Sequence, residues 1–100
     1  MKRPEEEKNI INTLHELKIL PEWFHAMMFE GKDFEIRKND RCFEVGDKLL
    51  MREWDPMRSY TGNYIEAKIK YVYQGTGVYG VSEEYCILGL EEIVCTLTRE

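Results

Sequence analysis

Three ionisable residues, Lys32, Glu35 and Arg37, lie within a short stretch of the chain and form its strongest candidate for chemistry, named here the triad. If residues 33–38 form a strand, Glu35 and Arg37 share one face, with their Cα atoms about 6–7 Å apart. Lysine and arginine can bind a phosphate or carbonyl oxygen, and a carboxylate can orient the guanidinium or accept an N–H of a base. The spacing therefore predicts a binding site for an anionic, nucleotide-like ligand.

The same residues suit catalysis less well. Glu35 between two cations is expected to stay ionised, which makes it a poor general acid and a weak base. Lys32 can act as a base or nucleophile only as the neutral amine, and the carboxylates around it disfavour that form. Lys32 and Glu35 are the catalytic candidates if the chain is an enzyme, but this residue set does not require one.

Further residues near the triad could extend the site. We expect Lys38 and Arg41 to make outer electrostatic contacts and Trp54 to offer a ring for base stacking. Six cations and five anions lie between residues 31 and 52, so this segment is nearly neutral. Two to four phosphate contacts would give a salt-dependence slope of only about −1.4 to −2.8. The alternative is that Glu35 and Arg37 pair on a solvated strand face and contribute at most about 1 kcal/mol.

A strand and a helix are predicted to precede the triad. Leu17 and Ile19 alternate with charged residues, which indicates a half-buried strand over 13–20. Pro21 suits the first position of a helix, and Gly31 suits its end. The helix carries two apolar i, i+4 pairs that predict a stripe packed on a sheet, namely Trp23 with Met27 and Phe24 with Met28.

The remaining chain is predicted to form strands. In the strand over 33–38 we predict that Phe34 and Ile36 face the core and that Glu35 and Arg37 face away from it. Residues 48–54 carry apolar groups on both faces, which indicates a central strand. Further strands are predicted over 64–73, 85–90 and 93–97. One early helix with about five to six mostly antiparallel strands predicts an α+β fold built as a small β-barrel.

A glycine-rich run over 75–80 satisfies the pattern G-x-G-x-x-G. A dinucleotide site would need an amphipathic helix directly after this pattern, and the sequence there is β-like. We therefore predict a loop between two strands.

Length and charge restrict the possible functions. The chain of 100 residues is 43% hydrophobic, which indicates one domain, predicted over 13–100 after a charged tail over 1–12. A net charge of −5 argues against a protein that grips nucleic acid mainly through phosphates. No secretory signal or bilayer-spanning stretch is evident, so we expect a soluble, cytoplasmic protein without a membrane partner. The oligomeric state stays open.

The cysteines and histidines do not suggest a metal or a cofactor. Cys42, Cys86 and Cys95 form no C-x-x-C pair and are predicted to be small core residues in a reducing compartment. His15 and His25 lack the i, i+4 spacing of a helical metal pair. We predict no metal site and no cofactor.

The sequence around the triad resembles the G-x-K-x-x-E-x-R signature of ASCH domains, which belong to the PUA-like barrels. It reads Gly31-Lys32-Asp33-Phe34-Glu35-Ile36-Arg37, with the glycine one position closer to the lysine than in the signature. Beyond the signature, residues 13–90 resemble a small family of bacterial and phage ASCH-like proteins. The resemblance implies a PUA-like barrel with the triad at the mouth of a cleft, where ASCH domains are proposed to bind RNA.

A bacterial relative of that fold hydrolyses an acylated cytidine with a lysine, a threonine and a glutamate. Only the lysine maps clearly onto this chain, at Lys32, and Glu35 occupies the position of the threonine. Three hypotheses therefore stand together. The first is an RNA- or nucleotide-binding module that uses the triad, Lys38, Arg41 and Trp54. The alternatives are a small amidohydrolase for acylated nucleosides and a phage or host protein-interaction module.

Overall fold

The computed structural model describes residues 12–98, which form a curled five-stranded sheet and one α-helix. Along the chain the elements are β1 (Leu14–Ile19), α1 (Pro21–Phe29), β2 (Phe34–Lys38), β3 (Lys48–Asp55), β4 (Ser59–Gln74) and β5 (Tyr85–Thr96). The predicted tail over 1–12 lies outside the described residues except for Asn12, so the boundary at residue 13 stays a prediction. Within residues 12–98, no helix has the length and apolar character that spanning a bilayer would require.

The strand order in the sheet is β1-β3-β4-β5-β2. β1 pairs with β3 in parallel, and the other three pairings are antiparallel. β1 and β2 are therefore the two edges, and the sheet curls into a half-barrel. The predicted α+β class, the mostly antiparallel strands and the early helix are confirmed, as is the central place of β3.

The core lies on the inner face of the curled sheet. Alternation in β1 buries Leu17 and Ile19, and the same period in β3 buries Leu49 and Met51. The described strands together with α1 and the segment before β3 supply the other large buried side chains, which are Phe24, Met27, Phe43, Ile65, Ile69, Leu88 and Leu90. Apolar burial of this kind is the main force that holds the small domain together.

The helix begins at Pro21 as predicted and ends at Phe29, two residues before Gly31. Phe24 and Met27 are buried, but Trp23 is 46% exposed, so its assignment to the core stripe was wrong. A helix of nine residues makes only two and a half turns, and only one narrow side of it reaches the sheet. Trp23 lies beside that contact and borders a cleft instead.

β4 and β5 form a long hairpin. The two closing strands predicted over 85–90 and 93–97 are one strand, in which Glu92 adopts a positive φ of 54°. The register against β4 shifts between Glu66 and Lys68, so the strand continues past the irregularity. The glycine-rich run lies in the hairpin loop with a single 3₁₀ turn at Val78–Gly80, which confirms the predicted loop.

Candidate functional site

The strand β2 is turned the opposite way from the prediction. Glu35 is 5% exposed, whereas Phe34 is 40% and Ile36 58% exposed. Glu35 and Arg37 do share a face, but that face is the inner one, and the apolar pair lies outside. Alternation cannot tell which face is inner, and here the buried carboxylate is tolerated because both of its oxygens are paired with cations.

Glu35 receives one cation on each carboxylate oxygen. Lys32 Nζ lies 2.8 Å from Oε1, and Arg37 Nε lies 3.0 Å from Oε2. The Glu35 side chain is almost fully buried, while the lysine and arginine side chains retain partial access to solvent. The carboxylate therefore fixes the positions of both cations and has no oxygen that is without a donor.

Lys32 lies directly after the turn that ends α1. Gly31 adopts a φ of +74°, which glycine tolerates better than other residues, and the Lys32 N–H bonds the Ala26 carbonyl at 3.2 Å. Its ammonium donates to the Phe34 carbonyl oxygen at 2.6 Å as well as to Glu35. The same ammonium lies 4.8 Å from the Phe34 ring centroid and 5.8 Å from that of Trp23. Both distances fall in the range of cation–π contacts.

Arg37 links the two edges of the sheet. Its Nη2 donates to the carbonyl oxygen of Lys18 in β1, while its Nε holds Glu35. Arg41, just after β2, donates from Nη1 to the Glu16 carbonyl oxygen at 3.0 Å. Alternate carbonyls along a strand point to the same edge, so both acceptors belong to the edge of β1 that faces β2. Two guanidinium groups thus take the place of backbone donors across the opening of the half-barrel.

A cleft of about 570 Å³ lies between the end of β1, the start of α1 and β2. This volume is in the range of small-molecule sites. Its charged lining consists of one carboxylate and four cations, which are Glu35 with Lys18, Lys32, Arg37 and Lys38. Its exposed apolar lining comes from the residue before α1, from α1 and from β2, and consists of Leu20, Trp23, Phe34 and Ile36. The cleft is cationic although the whole chain has a net charge of −5.

Four of the six predicted site residues meet at this cleft, namely the triad and Lys38. Arg41 lines a second groove of about 370 Å³ that lies on the other side of the link between Arg37 and Lys18. Trp54 is absent from the cleft and stacks instead with Lys18, whose ammonium lies 4.4 Å from its ring centroid.

Sequence reasoning missed Lys18 and Trp23 as lining residues. Lys18 precedes the buried Ile19 at the end of β1, and its proximity to the triad depends on the curl of the whole sheet. Trp23 was assigned to the core because its i, i+4 spacing to Met27 fits a buried helix stripe as well as it fits a cleft lining. Its position directly after the junction of β1 and α1 was the signal in the sequence that Trp23 could line a site at that junction.

The three cysteines lie outside the cleft lining. Burial raises the pKa of the Cys86 thiol, and the negative charge of Asp40 adds to that effect. Burial also raises the pKa of Cys95. Cys42 is exposed, so its predicted place in the core was wrong, whereas Cys86 is fully buried as predicted. Thiols with raised pKa carry little thiolate near neutral pH and are poor nucleophiles.

These features define a class of protein: a small α+β domain with a curled sheet, whose open side carries a cationic and aromatic cleft. Residues 14–90 match the family described as Domain of unknown function (DUF3850), and the chain belongs to that family. It is 35% identical over 75 residues to the "Uncharacterized 12.9 kDa protein in GpA 3'region" of Escherichia phage P2. The match covers 75% of this chain and 65% of the phage protein. Every residue that lines the cleft falls inside the range matched by the family.

Proposed function

We propose that the cleft binds RNA or a nucleotide-like ligand. The observation that carries the proposal is the concentration of four cations and two exposed aromatic rings around one cleft of a chain with a net charge of −5. Nucleic-acid binding by an acidic protein requires such a local excess of cations, together with surfaces on which bases can stack. The cleft provides both.

The proposed roles follow from the contacts that each side chain already makes. Arg37 uses Nε and Nη2 within the protein, which leaves its Nη1 group for the proposed contact with a ligand phosphate. Lys38 is exposed and has no ion-pair partner among residues 12–98, which suits it to a second phosphate contact. Trp23 and Phe34 present ring surfaces to a base. Glu35 is a positioning residue, because both of its oxygens are occupied by Lys32 and Arg37.

We also propose that this chain is an ASCH domain within the PUA-like barrels. The spacing of Lys32, Glu35 and Arg37 and the curled half-barrel with an early helix support that assignment. The geometry favours binding over hydrolysis of acylated nucleosides. Lys32 Nζ donates both to the Glu35 carboxylate and to the Phe34 carbonyl oxygen, so acceptors of the protein itself already hold the amine that hydrolysis would need.

Fluorescence anisotropy with a labelled single-stranded oligouridylate, titrated at several salt concentrations, tests the proposal. Lys38→Glu should weaken binding and lower the salt slope by about 0.7 for each phosphate that the variant no longer neutralises. Lys48→Glu is the matched control, because Lys48 is exposed and lies at the opposite end of the β1–β3 pair from the cleft. Absence of salt-dependent binding by the wild-type protein, or equally weakened binding by both variants, would remove this function from the cleft.

A further inference from the structure

The second groove adjoins the cleft. Lys18 and Arg37 line both, so the link between them is a wall that the cleft and the groove share. Beyond this wall the groove is lined by Glu16, Leu17 and Lys18 of β1, with Arg41 and Tyr60. Any ligand that contacts Arg37 from the cleft therefore lies within reach of the second groove.

The second groove is bordered by aromatic rings and cations in alternation. The Lys18 ammonium lies 4.4 Å from the Trp54 ring centroid and 5.9 Å from that of Tyr60. The Arg52 guanidinium lies 3.9 Å from the Tyr60 centroid on the same surface. Tyr60 remains substantially exposed, so part of its ring is open to a planar group. Aromatic rings interleaved with cations are typical of surfaces that bind single strands of nucleic acid.

The charge of the groove complements a phosphodiester chain. Lys18, Arg37 and Arg41 are the cations of its lining, and Glu16 is the acidic residue. Arg52 lies beside the groove, where it contacts the Tyr60 ring and holds the Glu16 carboxylate at 3.0 Å, and Asp40 lies 3.9 Å from Arg41. The carbonyl oxygens of Glu16 and Lys18 already accept from Arg41 and Arg37, and the Glu16 carboxylate accepts from Arg52, so these acceptors of β1 are engaged. The surface therefore offers mainly N–H donors, which a ligand rich in oxygen acceptors satisfies.

We infer that the ligand of the proposed site is a single-stranded nucleic-acid segment and not a free nucleotide. The inference rests on the proposed function of the cleft. One nucleotide occupies the cleft, and the strand crosses the link between Arg37 and Lys18 to reach Tyr60 in the second groove. The edge from residue 16 to residue 20 borders both the groove and the cleft and is about 13 Å long. The site is therefore short, at the low end of single-strand site sizes, about four nucleotides or fewer.

The two tryptophans of the chain provide one reporter on each side of the link. The Trp23 indole borders the cleft, and the Trp54 indole lies under Lys18 beside the second groove. The ¹⁵N–¹H indole signals can be followed by NMR in the wild-type protein during titration with uridine monophosphate and, separately, with an eight-residue oligouridylate. Millimolar concentrations of the mononucleotide make weak binding visible.

We expect the mononucleotide to shift the Trp23 signal much more than the Trp54 signal, which it reaches only through Lys18, and the oligonucleotide to shift both signals strongly. The oligonucleotide should bind at least about 5-fold more tightly, as expected for one additional stacked base. Tyr60→Leu should remove that gain and leave mononucleotide binding unchanged. If the oligonucleotide shifts the Trp23 signal alone, or binds no more tightly than the mononucleotide, the second groove does not bind the ligand. The inference then fails, and only the proposed function of the cleft remains. If neither ligand shifts either signal, the proposed function itself fails.

Discussion

Neutralising the buried carboxylate is the sharpest test of the triad. In Glu35→Gln the side chain keeps one oxygen and loses its charge, while its new amide group donates towards a cation. The wild-type carboxylate accepts two charge-assisted bonds, at 2.8 Å from Lys32 and 3.0 Å from Arg37. Each bond of this kind contributes about 1.5–3 kcal/mol. One bond is removed and the other weakened, but both cations can be partly rehydrated because they are not fully buried.

We therefore expect Glu35→Gln to lower the free energy of unfolding by about 3 kcal/mol, the low end of the cost of breaking a buried ion pair. In a domain of this size the loss corresponds to a fall in Tm of about 12–24 °C. Urea unfolding followed by circular dichroism, with the linear extrapolation, measures it. Glu66→Gln is the matched control, because Glu66 is exposed on β4, and its effect should stay within about 0.5 kcal/mol. If the two variants lose equal stability, below about 1 kcal/mol, Glu35 is a solvated surface residue and the reasoning is refuted.

Three further expectations concern stability and thiol reactivity. Gly75→Ala should cost about 2–3 kcal/mol or more by urea unfolding, because an added Cβ would lie 1.8 Å from the Ser82 carbonyl oxygen. Asp47→Ala should cost about 2–3 kcal/mol by the same measurement, because this buried carboxylate accepts from His15 Nε2 at 2.8 Å and from two backbone N–H groups. One thiol, that of Cys42, should react rapidly with a disulfide reagent at pH 8. The other two thiols are slowed by burial, and because their pKa is raised their reaction should accelerate only at higher pH.

The two stability expectations each have a matched control. Gly77→Ala introduces a Cβ with no heavy atom within 4 Å, so it should show only the cost of the positive φ, about 1–2 kcal/mol. Asp33→Ala removes an exposed carboxylate and should be nearly neutral. A destabilisation by Asp47→Ala no larger than that by Asp33→Ala would contradict the buried network, and equal destabilisation in the two glycine variants would contradict the close packing at residue 75. Rapid labelling of Cys86 in the folded protein would show that β5 is accessible.

The elements of this fold were predictable because their signals are local. Alternation of Leu17 and Ile19 marks β1, and Pro21 marks the start of α1. The orientation of β2 was not predictable in the same way. Its alternation is clear, but the choice of inner face depends on Lys32 and on Arg37, which neutralise Glu35 only once the chain has folded. A hydrophobic pattern assigns charged residues to solvent and cannot represent a carboxylate that is buried with its partners.

The candidate site was only partly visible in the sequence for a related reason. The triad lies within one short segment, so its members could be found by spacing. Lys18 and Tyr60 come from other strands, and they approach Arg37 only because the sheet curls and brings its two edges together. The acceptor of the Arg37 Nη2 group is moreover a backbone carbonyl, which has no side-chain signature at all.

The arginines at the opening of the half-barrel have a consequence for self-association. An exposed strand edge can recruit a strand from another molecule through its free carbonyls, and this is a common route to aggregation. On β1, Arg37 and Arg41 already occupy the carbonyls of Lys18 and Glu16 and place positive charge along the edge. A second chain that docked there would have to displace both guanidinium groups. The two arginines that are proposed to contact RNA therefore also hinder the pairing of a strand from another molecule with β1.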